Sequence, residues 1–303
     1  MDGAHPAPRS GRPAARVALV DSGVGLVAYA DALLALRPDL GLILSMDPDH
    51  MPYGPRTPEH VRHLILGSAR ACLPYQPDAL VVACNTASVH GLEALRAALE
   101  PQLPVIGTVP AIRPAAMTGG PVAVWATRAT TGSDYLRGLV DAFAADIETH
   151  AVTANGLAEA IERGELDGVD ACIREAAAAT PPVKALVLGC THYGLVADRI
   201  AEALGDVRIF DSPVAVARQT LRRLGLEPDA GGSGAAGSGA GGSGAAESVG
   251  GVEAVLLSAR PGELPEAMLA YPAGRRLAAH RLTPVERAQA ASRAGRNGRR
   301  RDV

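Results

Sequence analysis

The sequence predicts an α/β protein of two pseudo-symmetric lobes, each a mostly parallel sheet flanked by helices, facing each other across a cleft. Three observations lead there. Short apolar runs alternate with helical patterns along the chain, the order that builds parallel sheets. With two Phe and one Trp in 303 residues, the core must be filled by Val, Leu, Ile and Ala, which suits strands buried on both faces. The halves also repeat. Asp21, after the first strand of one half, precedes Cys84 by 63 residues, and Thr127, after the first strand of the other, precedes Cys190 by the same 63.

Val17–Val20 reads as the first strand, ending at Asp21, with Gly23-Val24-Gly25 as a turn tight enough to pack against a ligand and Leu26–Leu36 as a helix. Gly41–Ser45 is a second strand, followed by a loop carrying Asp47, Asp49, His50 and Pro52-Tyr53-Gly54. Thr57-Pro58-Glu59 has the form of an N-cap with Pro at the first helical position, opening a helix to about Leu73. Ala79–Ala83 is a strand running into Cys84, Val89–Leu99 a helix and Val105–Gly107 a strand. In the second half, Val122–Trp125 is a strand, a helix starts near Ser133, and Ile147–Val152 is the next strand. Helices over Gly156–Arg163 and Gly168–Ala177 precede the strand Val183–Leu188, which runs into Cys190. Val252–Ser258 reads as a strand interrupted by Glu253, and Pro265–Ala270 as a final helix. The expected organisation is a disordered leader over 1–16, a first lobe over 17–112 and a second over 113–204. The chain then returns to the first lobe over 205–229, crosses a flexible Gly/Ser/Ala linker at 230–248, continues the first lobe over 249–280 and ends in a basic tail at 281–303.

A 48% apolar and 20% charged composition is that of a soluble globular protein. The formal charge of −3 supplies no overall attraction to nucleic acid or anionic membrane, and the arginines of the tail read as a solvated end. No apolar run is long enough to span a bilayer, and the first residues lack the apolar stretch of a signal peptide. The cysteines at 72, 84, 172 and 190 form neither a disulfide scaffold nor a close-spaced zinc pattern, so no metal and a reducing cytoplasm are expected.

Chemistry is expected at the strand ends. A thiol placed after a parallel strand and before a helix meets unpaired N–H groups and the positive end of the helix dipole, which favour a thiolate and hold carboxylates. Cys84 is followed by Asn85-Thr86 and Cys190 by Thr191-His192, so both sulfurs have hydrogen-bonding neighbours. His192 could orient the Cys190 thiol, and Asp21 could act on Cys84. Cys72 and Cys172 fall within helical patterns and read as structural. A Cys/His hydrolase is the competing enzyme class, but it leaves the second strand-end cysteine without work. A binding protein that keeps the fold is the non-enzymatic reading. A racemase employs both thiols, one removing a Cα proton and the other returning one to the opposite face. No pyridoxal cofactor is expected, because Lys184 is the chain's single lysine and sits at a strand's entry.

Four segments taken together carry a family resemblance: Asp21-Ser22-Gly23-Val24-Gly25, Pro52-Tyr53-Gly54, Val82–Ser88 around Cys84, and Leu188–Tyr193 around Cys190. Through them the chain resembles the glutamate racemases of the aspartate/glutamate racemase family, over about Val17–Ala215 and more weakly over Val252–Gly274. The resemblance implies cofactor-free interconversion of L- and D-glutamate between two facing lobes, in bacteria a source of D-glutamate for peptidoglycan. It implies that Cys84 deprotonates D-glutamate with Asp21 and Ser22 assisting, and that Cys190 deprotonates L-glutamate with His192 assisting. Asn85, Thr86, Thr191, Tyr53 and Gly54 would bind the amino acid's polar ends, Thr127 and Thr130 would belong to a substrate loop, and Glu162 would be the family's further acidic residue. It also makes a homodimer plausible. Departures from the family pattern include Leu26 for a glycine, Ala126 for a glycine, Ala154-Asn155 for Cys-Pro, and Pro48-Asp49-His50 for Thr-Ala-Arg. Asp49 would be unfavourable beside an anionic side chain if both shared the cleft, which leaves a racemase or epimerase of another amino acid as the alternative reading.

Overall fold

A computed structural model describes residues 13–229 and 250–280. Most of the leader, the 230–248 linker and the 281–303 tail therefore lie outside the described residues. The chain opens with β1 (Arg16–Asp21), α1 (Leu26–Leu36), β2 (Gly41–Met46), α2 (Pro58–Cys72), β3 (Ala79–Val82), α3 (Asn85–Leu99) and β4 (Val105–Gly107). It crosses through α4 (Ile112–Ala116) into β5 (Val122–Ala126), α5 (Arg128–Thr131), α6 (Asp134–Phe143), β6 (Thr149–Thr153), α7 (Leu157–Arg163), α8 (Leu166–Ala178) and β7 (Ala185–Leu188). A 3-10 turn at Thr191–Val196, α9 (Ala197–Leu204) and β8 (Arg208–Phe210) follow. Then α10 (Pro213–Leu224) precedes β9 (Gly251–Leu257), β10 (Arg260–Pro261), a 3-10 turn at Glu266–Ala270 and α11 (Pro272–Ala279).

Two sheets result, in the orders β10-β9-β2-β1-β3-β4 and β6-β5-β7-β8, every pairing parallel except that of β10 with β9. Every residue of β1, β2, β3, β5 and β7 is buried, which is why these strands read as unbroken apolar runs rather than alternating ones. Thr57 caps α2 as its sequence suggests, its hydroxyl accepting the His60 N–H at 3.3 Å. Glu253 interrupts β9 for a structural reason. The register with β2 slips at this residue, a bulge that turns its carboxylate onto the buried Arg16 guanidinium at 2.8 Å.

Three expectations need correction. The helix after Cys84 begins at Asn85, four residues before the predicted Val89, because Cys84 itself occupies the capping position in extended conformation. Arg208–Phe210 pairs with β7 and extends the second sheet, so the chain turns back to the first sheet after Phe210 rather than at residue 205. The helix expected at Pro265–Ala270 is a 3-10 turn, and the closing α-helix is the unpredicted α11, which starts with Pro272. Among the described residues, no helix is long and apolar enough to cross a membrane.

Candidate active site

The ends of β1 and β3 in one sheet, and of β5 and β7 in the other, open on a common cleft of about 380 Å³, part of it open to solvent. From the first sheet Ser22, Cys84, Asn85 and Thr86 line it; from the second, Thr127, Thr130, Cys190, Thr191 and His192 do. The loop after β2 contributes Tyr53 and Gly54. Asp21 and Glu162, also read from the sequence, stand one layer behind. Pro52 of the loop after β2 also lines the cleft, and Met51, Ala158 and Gly189 complete the wall without having been singled out. Gly189 could have been suspected from its place before Cys190, whereas nothing marks Ala158 out within its helix.

Cys84 is buried at the N-cap of α3, its thiol directed at the Ser22 hydroxyl 3.9 Å away. Behind it the Asp21 carboxylate accepts the Ser22 N–H at 2.6 Å on one oxygen and the Thr191 hydroxyl at 3.2 Å on the other. Full burial raises the Asp21 carboxyl from 3.8 to about 6, against the opposing pull of His192 and of a hydrogen bond from Cys84. Burial, and then the Asp21 charge, push the Cys84 thiol well above its ordinary range, so at neutral pH it keeps its proton.

Cys190 follows β7 with its sulfur 3.9 Å from His192 Nδ1, while Nε2 of the same ring meets a Glu162 oxygen at 2.9 Å. Burial disfavours the imidazolium, but hydrogen bonds to Cys190 and Glu162, with the fields of Cys190 and Asp21, outweigh it and raise His192 well above 6.5. The ring is thus a charged donor to both neighbours. The same Glu162 oxygen accepts the Val24 N–H of the first half at 2.8 Å. With Thr191 on Asp21, each half therefore donates a hydrogen bond to the carboxylate serving the other half's thiol or its histidine.

The glycines after Asp21 make room for this arrangement. A Cβ at Gly23 would collide with the Glu162 carboxylate, and one at Gly25 with Thr191, Asp21 and His192 together. Asn85 donates to the Gly189 carbonyl across the cleft at 2.8 Å, which fixes its amide and leaves Oδ1 buried without a partner. Tyr53 lines the wall, its hydroxyl donating to Asp47 at 2.8 Å. Thr127 and Thr130 bring their hydroxyls to 3.2 Å of each other. Asp49 is exposed, pairs with Arg260 at 2.7 Å and lines no part of the cleft, which removes the clash feared with an anionic ligand. No Lys or Arg lines it either, so an anion there would be met by hydroxyls and the N-terminal N–H groups of α3.

Two mostly parallel sheets that each bring one strand-end thiol to a common cleft are the frame of an isomerase. A profile described as Asp/Glu/hydantoin racemase matches residues 27–220, and the chain belongs to that family. Its similarity to particular members is extensive. A glutamate racemase of Stutzerimonas stutzeri is 37% identical over 212 residues, 68% of this chain and 80% of the relative. One from Pseudomonas entomophila is 36% identical over 220 residues, 70% and 82% of the two chains. The crystal structure of Escherichia coli glutamate racemase in complex with L-glutamate and the activator UDP-MurNAc-ala superposes with a TM-score of 0.64 at 34% identity, covering 72% of this chain and 85% of that one.

Proposed function

We propose that the protein interconverts L- and D-glutamate without a cofactor, Cys190 removing the Cα proton of L-glutamate and Cys84 that of D-glutamate. The observation that carries this reading is a single cleft lined by two thiols from opposite sheets. From L-glutamate, the Cys190 thiolate takes the Cα proton, the C–H electron pair spreads into the α-carboxylate, and the Cys84 S–H delivers its proton to the other face. The turnover leaves a thiol at Cys190 and a thiolate at Cys84, and the reverse reaction restores the start. A protonated Cys84 and an imidazolium beside Cys190 suit entry of the L enantiomer. His192 and Asp21 would carry the protons that reset the pair.

A Cα–H beside a carboxylate is a weak acid, so placement and fixed donors must supply the stabilisation. Asn85 Oδ1, buried and unpaired, is an acceptor suited to the substrate ammonium. Thr86 and the N-terminal N–H groups of α3 would donate to one carboxylate, with Thr127, Thr130 and the Gly54 backbone toward the far end. Glu162 would hold His192 rather than touch substrate. Lys184, the chain's single lysine, is exposed at the opposite end of β7 from Cys190, which supports a reading without pyridoxal. We further read the enzyme as cytoplasmic, its D-glutamate destined for peptidoglycan.

The test is incubation of the purified protein with L-glutamate and no additive, followed by chiral chromatography. The expected result is an equal mixture of enantiomers, unchanged by added pyridoxal phosphate. Turnover of a different amino acid with glutamate untouched would overturn the substrate assignment, and dependence on pyridoxal phosphate would overturn the cofactor-free mechanism.

A further inference from the structure

The cleft loop Met51–Gly54 is held through Asp47, to which Ser258 reaches from 211 positions away. Asp47, buried at the end of β2, accepts three hydrogen bonds: Tyr53 OH at 2.8 Å, His50 Nδ1 at 2.9 Å and Ser258 Oγ at 2.7 Å. The Ser258 hydroxyl also accepts the Asp49 N–H at 3.1 Å, so one side chain clamps both the carboxylate and the backbone at the start of the loop.

The backbone beneath this contact is strained. Arg260 pairs with Leu257, which leaves Ser258-Ala259 as the whole turn between β9 and β10. Both residues have positive φ, 46° and 63°. A two-residue hairpin turn of this kind strongly favours Asn-Gly, and a serine followed by an alanine is a poor local choice. Strain of this sort persists where the surroundings demand it. The demand visible here is the hydroxyl on Asp47, which glycine could not supply.

We propose that Ser258, acting through Asp47, is a positioning residue for the Met51–Gly54 loop, making the β9–β10 hairpin a working part of the site. The kinetic arm of its test rests on the racemase reading. The experiment compares Ser258→Gly with Ala259→Gly in the full chain, through Tm, KM, kcat and amide hydrogen exchange over residues 47–56. Glycine suits either backbone position, so Ala259→Gly should keep or gain stability, while in Ser258→Gly the relieved strain offsets the hydrogen bonds lost to Asp47 and Asp49 and Tm should change little. Ala259→Gly keeps the hydroxyl and should leave KM and loop exchange unchanged. Ser258→Gly should raise KM at least about fivefold with a smaller change in kcat, and speed exchange at His50 and Met51 by about tenfold or more. Unchanged exchange in Ser258→Gly would overturn the proposal whatever the substrate, as would equal effects of the two variants. A parent protein that leaves glutamate unturned would sink the racemase reading while the exchange comparison still decides this one.

Discussion

Replacing either Cys84 or Cys190 by alanine is expected to lower kcat/KM at least about 10³-fold, by removing a proton-transfer group from one face of Cα. Free L- and D-glutamate are equal in energy, so kcat/KM must fall by the same factor for both enantiomers, whichever cysteine is lost. The double variant should be little worse than either single one, because two groups serving one proton exchange act as a unit. Cys172→Ser, altering a thiol outside the cleft, is the matched control and should stay within about twofold. Retention of more than about a tenth of parental activity by either alanine variant, with circular dichroism unchanged, would contradict the assignment.

Asp21→Asn is expected to make the protein more stable and less active. The folded-state carboxyl lies at about 6 against an ordinary 3.8, chiefly because it is fully buried. Since the folded value is raised, the stabilising contribution is full below the unfolded value and disappears as pH climbs through 6. At about 1.4 kcal/mol per tenfold in proton affinity, ionised Asp21 costs the fold about 3 kcal/mol above pH 6, and roughly half that at pH 5. Asparagine stays neutral and keeps an acceptor for Ser22 or Thr191. Its Tm should therefore exceed the parent's by about 5–10 °C at pH 8, with the gain fading below about pH 4. Racemisation should fall about 100-fold, because no carboxylate is left to take the Cys84 proton. A Tm difference that does not change between pH 8 and pH 5 would show that burial of charge is not the source. Such opposition between stability and activity is expected wherever a site keeps a charge in an apolar interior.

Much of this fold was legible because its central strands are buried on both faces and so appear as continuous apolar runs. The bounds of α1 and β4 were read to the residue. The start of α3 was not, because Asn85-Thr86 look like loop residues until Cys84 is recognised as their cap. The three-residue strand β8 carries too little pattern to be seen, and its membership in the second sheet is a matter of pairing alone. At the site, strand-end motifs named most of the residues that line the cleft. Relations between halves could not be read: Glu162 on Val24, Thr191 on Asp21, and Asn85 on Gly189 each depend on how the sheets meet. Tyr53 was placed in the wall correctly, but the partner of its hydroxyl was hidden, since Asp47 owes its position partly to Ser258 far along the chain.

The central claim is that protons leave and arrive on opposite faces of Cα through different groups. It is tested most directly by mass spectrometry of both enantiomers during the first few per cent of turnover of L-glutamate in deuterated water. The account predicts D-glutamate carrying one solvent deuterium at Cα from its first appearance, with the remaining L-glutamate almost unlabelled. Early D-glutamate that retains the original proton, or L-glutamate that gains deuterium as fast as product forms, would mean that one base serves both faces.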